Sequence, residues 1–233
     1  MEFPSPLIRG KLIKRYKRFL SDIELEGGQI ITAHCANSGS MMGLKEPGSA
    51  VWVSPANNPK RKLQYTWELI DIGSSLVGIN TALPNKIVAE AIVAQQIPEL
   101  SGYKTLRSEV KYGENSRIDI FLQDGDQADC YVEVKSVTLS RQAGKAEFPD
   151  SVTSRGTKHL QELSNMVDQG YRAAMFYLVQ RMDCSIFDVA SDIDPAYAQA
   201  FKIAREKGVE VYCYQCQINP EQIKIESSIQ IVE

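Results

Sequence analysis

Two stretches set acids among apolar neighbours. In Arg117-Ile118-Asp119-Ile120, Asp119 sits between isoleucines. In Tyr131-Val132-Glu133-Val134-Lys135, Glu133 and Lys135 alternate with valines. On a strand, side chains two apart share a face, so the acid and the lysine point one way and the valines the other. Asp124-Gly125-Asp126 reads as the turn of a hairpin that joins 116–123 to 129–139 and brings Asp119 toward Glu133. Charged groups are rarely buried unless paired or bound to a metal. Two neighbouring carboxylates repel, and a divalent cation removes that cost. Hard oxygen ligands suit Mg²⁺ or Mn²⁺. A cation on Asp119 and Glu133 would serve as Lewis acid and water activator in phosphodiester hydrolysis. Lys135 would orient or deprotonate the water, or stabilise phosphate charge. Glu90, on the preceding helix, is the expected third acid of both the catalytic and the metal-binding set. The bland alternative is an exposed Glu133–Lys135 pair on a solvated face, because E-x-K in a strand is common.

The elements that position these residues follow from the pattern on either side of Leu83-Pro84-Asn85. Before it, five β-rich segments are expected at 8–25, 29–36, 50–56, 63–72 and 75–80, separated by Gly, Asn, Ser and Pro turns. Five short strands suggest a small antiparallel barrel of OB type. After it, a helix is expected at 85–97 with Asn85 as N-cap, then strands 104–112, 116–123 and 129–139. Helix 154–169, strand 171–180, helix 195–207 and strand 209–217 complete the order. The fold class is thus α/β (α+β) with two domains. An OB-like barrel spans 1–82, and a mixed sheet flanked by helices spans 83–233.

Charge divides along the same line. The chain has 233 residues and a net charge of −3, which at first sight argues against a nucleic-acid partner. Yet residues 1–67 carry ten basic and five acidic side chains, and the acidic excess lies in the remainder. Lys11, Lys14, Arg15, Lys17, Arg18 and Arg61 form the expected phosphate-binding set, with Tyr16, Phe19, Trp52, Tyr65 and Trp67 interleaved. A solvated edge strand and core tryptophans are the alternatives. Arg155 and Lys158 stand at the start of the second helix, where anions bind. His159 reads as a packed or capping histidine or a general acid.

Five cysteines and no apolar run of membrane-spanning length imply a cytoplasmic protein with reduced thiols and no membrane partner. Cys213-x-x-Cys216 looks like half a zinc site, but in a strand residues three apart face opposite ways.

The D-x13-E-x-K spacing inside α-β-β-β-α-β resembles the PD-(D/E)xK nuclease superfamily, with Ile118 in place of the superfamily's Pro. A closer resemblance spans nearly the whole chain. Arg18-Phe19-Leu20, Cys35 to Met41, Pro47-Gly48, Ser116 to Asp119, Tyr131 to Leu139, Phe148 to Thr153 and Arg155 to Leu160 are similar to the sugar fermentation stimulation protein A (SfsA) family. That family usually has Cys-Pro-Asn-Thr-Gly where this chain has Cys35-Ala36-Asn37-Ser38-Gly39. The resemblance implies an OB-like first domain and a restriction-endonuclease-like second one. It also implies non-specific DNA binding and a regulatory link to sugar (maltose) metabolism. Two functions stand side by side: a DNA-binding protein with a potential metal site, or a Mg²⁺- or Mn²⁺-dependent nuclease on DNA or RNA.

Overall fold

The computed structural model describes residues 1–113 and 116–232. The first sheet comprises β1 (Ile8–Tyr16), β2 (Leu20–Leu25), β3 (Ile30–Cys35), β4 (Ala50–Pro55), β5 (Tyr65–Asp71) and β6 (Leu76–Gly78). β1 to β5 close into a barrel in the order β1-β2-β3-β5-β4, with β3 and β5 as the parallel closing pair. This is the OB-type barrel. Ile23, Ala33, Cys35, Val51, Val53 and Trp67 fill it and are fully buried. Trp67 is therefore core, its Nε1–H donating to the Leu69 carbonyl at 2.9 Å.

Residues 8–25 are a hairpin and not the single expected strand. The chain reverses at Lys17-Arg18-Phe19, where Lys17 and Arg18 hold φ of 48° and 62°. Such turns usually carry Gly or Asn, so turn chemistry gave no sign of this one. Arg18 consequently leaves the face that Lys14 and Tyr16 would have shared with it.

The second domain runs α1 (Pro84–Val93), a 3₁₀ turn (Pro98–Leu100), β7 (Thr105–Tyr112), β8 (Ser116–Gln123) and β9 (Cys130–Val137). It continues with β10 (Leu139–Gln142), β11 (Gly144–Phe148), α2 (Ser154–Asp168), β12 (Arg172–Val179), β13 (Cys184–Val189), α3 (Pro195–Glu206), β14 (Glu210–Ile218), β15 (Ile223–Ser228) and β16 (Gln230–Ile231). The main sheet has the order β15-β14-β12-β9-β8-β7, parallel across β14, β12 and β9 and antiparallel at both sides. Ile87 and Val88 of α1 pack on one face, and Leu160, Leu163 of α2 and Phe201 of α3 on the other. Cys213 and Cys216 belong to these two opposite cores, and both are free thiols, as strand geometry requires. A smaller sheet, β10-β11-β13-β16, lies beside the main one and was not expected. Among the described residues, no helix is long and apolar enough to cross a membrane.

The two domains share apolar and polar contacts. Leu69 of β5 lies in one core cluster with Ile87 of α1 and Ile225 of β15. Residues Met1 and Phe3 bond the second domain, at Ile223 and Glu221, each at 3.0 Å. Asp150 Oδ2 accepts from the Ser40 backbone N–H at 2.8 Å and closes the Asn37–Ser40 loop against the second domain. Gly39 packs under that carboxylate. A Cβ there would stand 2.2 Å from Asp150 Oδ2 and 3.1 Å from Asn37 Oδ1. Gly39→Ala is therefore expected to cost about 1–3 kcal/mol through overpacking. A thermal melt should show a drop of roughly 3–8 °C. An unchanged melting temperature would mean that the loop does not hold the domains in this way.

Candidate active site

The site forms where a strand ladder ends. β8 and β9 pair from Leu122↔Cys130 to Ile120↔Val132, and regular pairing stops there. Just beyond, the Asp119 side chain takes over as acceptor: its Oδ2 receives the Val134 backbone N–H at 2.8 Å. Ile118 packs in the α2-side core and Ile120 in the α1-side core, although residues two apart on a regular strand share a face. The alternation thus breaks at Asp119. Opposite it in the β7–β8 register, Glu109 has a positive φ of 56°. The second Asp119 oxygen accepts from Asn85 Nδ2 at 2.7 Å. Asn85 is not the helix cap: Pro84 occupies the first helical position and Leu83 the N-cap. Its side chain is free to reach the site.

On β9, Val132 and Val134 enter the α1-side core, while Glu133 and Lys135 project toward α2. Glu133 is 2% exposed. Its Oε1 accepts from Lys135 Nζ at 2.7 Å and meets His159 Nδ1. Arg155 Nε donates to His159 Nε2 at 3.3 Å, so that nitrogen is the acceptor and the ring proton sits on Nδ1, facing Glu133. Lys135 Nζ lies 3.3 Å from the same Nδ1, completing a three-way cluster around one carboxylate oxygen. The other oxygen, Glu133 Oε2, is buried with no hydrogen-bond partner.

The electrostatics follow from this placement. Burial, and then the charge of Glu133, push the Asp119 carboxyl up to about 6. Burial also raises Glu133, but the hydrogen bonds and charges of His159 and Lys135 outweigh it and hold that carboxyl below its ordinary value. Tyr112, at the end of β7, has a buried hydroxyl with no partner, and burial and the negative charges of Glu133, Glu162 and Asp119 push it up. Glu162 is one turn along α2 from His159. It is buried, neither oxygen is hydrogen-bonded, and Lys158 Nζ is 3.5 Å away.

Asp119, Glu133 and Lys135 therefore converge, together with His159. Glu90 does not join them. It faces away on α1, where it pairs with the Met1 amino group at 3.0 Å and with Lys86 at 3.7 Å. The helix acid was placed by its element alone; its direction is set by the N-terminal segment that returns to meet it. Asn85, His159, Glu162 and Tyr112 were absent from the predicted catalytic set. The i, i+3 spacing of His159 and Glu162 on an amphipathic helix was the available signal.

The basic residues divide. Lys11, Lys17, Arg18 and Arg61 are exposed on the barrel. Lys14 pairs with Asp22 at 3.5 Å. Arg15 is turned inward, its Nη2 donating to the Asn37 and Gly39 carbonyls at 2.9 and 3.1 Å. It braces the loop and is poorly placed for phosphate. Arg155 and Lys158 are exposed at the start of α2, which Thr153 caps by accepting from Gly156 N–H at 3.1 Å.

Between the domains lies a polar cleft of about 440 Å³, lined among others by Arg18, Asn37, Thr81, Ser136, Asp150 and Thr153. Ser136 adjoins Lys135 in β9 but projects from the opposite face, and Asp119, Glu133, Lys135 and His159 do not line the cleft.

Asp119 and Glu133 offer hard oxygen donors, one of them the orphaned Oε2, and this fits a cation such as Mg²⁺ or Mn²⁺ that keeps several waters. Among the described residues, no group of three or more His, Cys, Asp or Glu side chains is arranged to enclose a metal.

Residues 82–222 match the family model described as the sugar fermentation stimulation protein RE domain, and residues 13–79 match the SfsA N-terminal OB domain. A sugar fermentation stimulation protein homolog of Rhodospirillum rubrum is 58% identical, over 94% of each chain. One from Roseobacter denitrificans is 54% identical, over 99% of each. The structure of Pyrococcus furiosus SfsA in complex with Ca²⁺ is similar over 100% of this chain and 98% of that one, with a TM-score of 0.90 and 26% identity. The chain belongs to the sugar fermentation stimulation protein (SfsA) family.

Proposed function

We propose that this protein binds nucleic acid and hydrolyses its phosphodiester bonds with a divalent cation held by Asp119 and Glu133. The observation that carries this reading is the buried, unpartnered Glu133 Oε2 beside an Asp119 whose carboxyl is raised by burial and by Glu133. Such a pair destabilises a fold unless a cation joins it. The Ca²⁺ in the Pyrococcus furiosus relative supports a cation of this charge. When bound, the ion would polarise a phosphoryl oxygen and make water a better nucleophile.

The protein's own residues do the rest. Asn85 and the Val134 N–H fix the Asp119 carboxylate. His159, oriented by Arg155, and Lys135 hold Glu133 by one oxygen and leave the other for the cation. The Lys135 ammonium is positioned to hold the attacking water and to stabilise negative charge building on the phosphate. Arg155 and Lys158, in the first turns of α2, supply phosphate contacts with the help of the helix N-terminus.

The second reading is binding without cleavage, favoured by the exposed Lys11, Lys17, Arg18 and Arg61 on the barrel. The sugar (maltose) regulation that the family resemblance implies would run through this binding. Incubating the purified protein with single- and double-stranded DNA and RNA, with Mg²⁺, Mn²⁺ or a chelator, separates the two. Cleavage that needs the metal is expected. DNA retained in a mobility shift but never cut under any condition would leave only the second reading.

A further inference from the structure

Phe19 is a large apolar side chain that the fold places in water, at 47% exposure. It sits in the unusual β1–β2 turn, directly after two residues of positive φ. Its ring is not isolated. It stacks with His34 of β3, with planes 23° from parallel and centroids 6.5 Å apart. Burial and the nearby Arg61 charge hold the His34 imidazole below its ordinary value. Arg61 is anchored next to it: its Nη1 donates to Thr66 Oγ1 at 3.0 Å, and Thr66 is the register partner of His34. On the other side, Arg18 precedes Phe19 and lines the interdomain cleft. Arg61, His34, Phe19 and Arg18 thus form a continuous band across the barrel, cation to ring pair to cation, ending at the interdomain cleft.

This pattern has a chemical reading. Cations neutralise phosphates, and aromatic faces stack bases without regard to sequence. A base in a duplex has both faces covered by its neighbours, so an exposed ring pair selects bases that are unstacked. We propose that Phe19 and His34 are a base-stacking platform for single-stranded nucleic acid, whose backbone follows Arg61 and Arg18 into the interdomain cleft. The proposal deepens the hydrolase reading by naming its substrate class, and rests on that reading only for the strand's destination.

The test uses the full chain in chelator, with a fluorescent oligothymidylate of about twelve nucleotides and a blunt duplex of equal length. Phe19→Ala should weaken oligothymidylate binding about tenfold or more while leaving the salt dependence unchanged, because stacking releases no counterions. Phe19→Tyr should restore most of the affinity. Arg61→Ala should instead flatten the plot of log affinity against log salt by about 0.7. Duplex affinity should stay within about twofold in Phe19→Ala, since paired bases do not reach the platform. The proposal is overturned if wild type fails to bind oligothymidylate, if Phe19→Ala binds it as wild type does, or if both ligands weaken alike. Cleavage by wild type and Asp119→Ala, measured in parallel, keeps the two readings apart. Normal single-strand binding by Phe19→Ala alongside Asp119-dependent cleavage would remove the platform and keep the hydrolase. The reverse pattern would remove the hydrolase and keep the platform.

Discussion

Asp119→Ala and Lys135→Ala should each lower metal-dependent cleavage by about 10²–10⁴-fold, for different reasons. In the proposed centre Asp119 would supply half of the cation's protein donor set, so its loss should abolish calorimetric binding of Mn²⁺. Lys135 is a hydrogen-bond donor to Glu133 Oε1 at 2.7 Å and contributes no ligand atom. Lys135→Ala should therefore still bind Mn²⁺ while cleaving poorly. Equal loss of metal binding in both variants would mean that Lys135 acts only by holding Glu133 in place.

The second large effect is on stability, and its sign is opposite to the usual one for a buried residue. The Asp119 carboxyl has an ordinary value of 3.8 and is pushed to about 6 in the folded protein, by burial first and Glu133 second. The folded state therefore binds this proton more tightly than the unfolded chain does. The stability it contributes is fully present below about pH 4 and is lost as pH rises through about 6. Ionising Asp119 at neutral pH costs the metal-free fold roughly 3 kcal/mol. Asp119→Asn keeps the shape and one acceptor for the Val134 N–H, and removes the charge. With part of the gain lost to a rearranged Asn85 contact, the metal-free variant should be more stable by about 1–2 kcal/mol at pH 7.5, or roughly 3–6 °C. The difference should shrink at pH 5. Added Mn²⁺ should raise the melting temperature of wild type and not of the variant. A metal-free Asp119→Asn that melts below wild type at pH 7.5 would contradict the assigned electrostatics.

Part of the site's geometry was legible because strand periodicity is rigid. Glu133 and Lys135 needed only a period of two to share a face, whereas Asp119 joins them through the break in alternation between Ile118 and Ile120, which periodicity does not reveal. The five-stranded barrel was legible from its turns, apart from the Lys17–Arg18 reversal, which uses residues that give no turn signal. What depends on tertiary placement was not legible. Glu90 sits on the expected helix, yet which way it faces is decided by Met1 returning from the other end of the chain. His159 and Glu162 required the rotation of α2 about its axis relative to β9, and the sequence supplies only their mutual spacing. The β10-β11-β13-β16 sheet pairs strands separated by whole helices, with short, weakly alternating segments. Arg15 has the right charge for phosphate and is consumed by two backbone carbonyls. Composition showed that the basic excess lies in the first part of the chain and could not sort its members.

Single-turnover cleavage of a labelled oligonucleotide, followed against Mn²⁺ concentration in wild type and in Asp119→Asn, is the most direct test of a cation centre on Asp119 and Glu133. The wild-type rate should rise with Mn²⁺ to a plateau and vanish in chelator, while the folded and more stable variant shows no rise. Product formed at equal rates by both proteins, or formed by wild type in chelator, would contradict it.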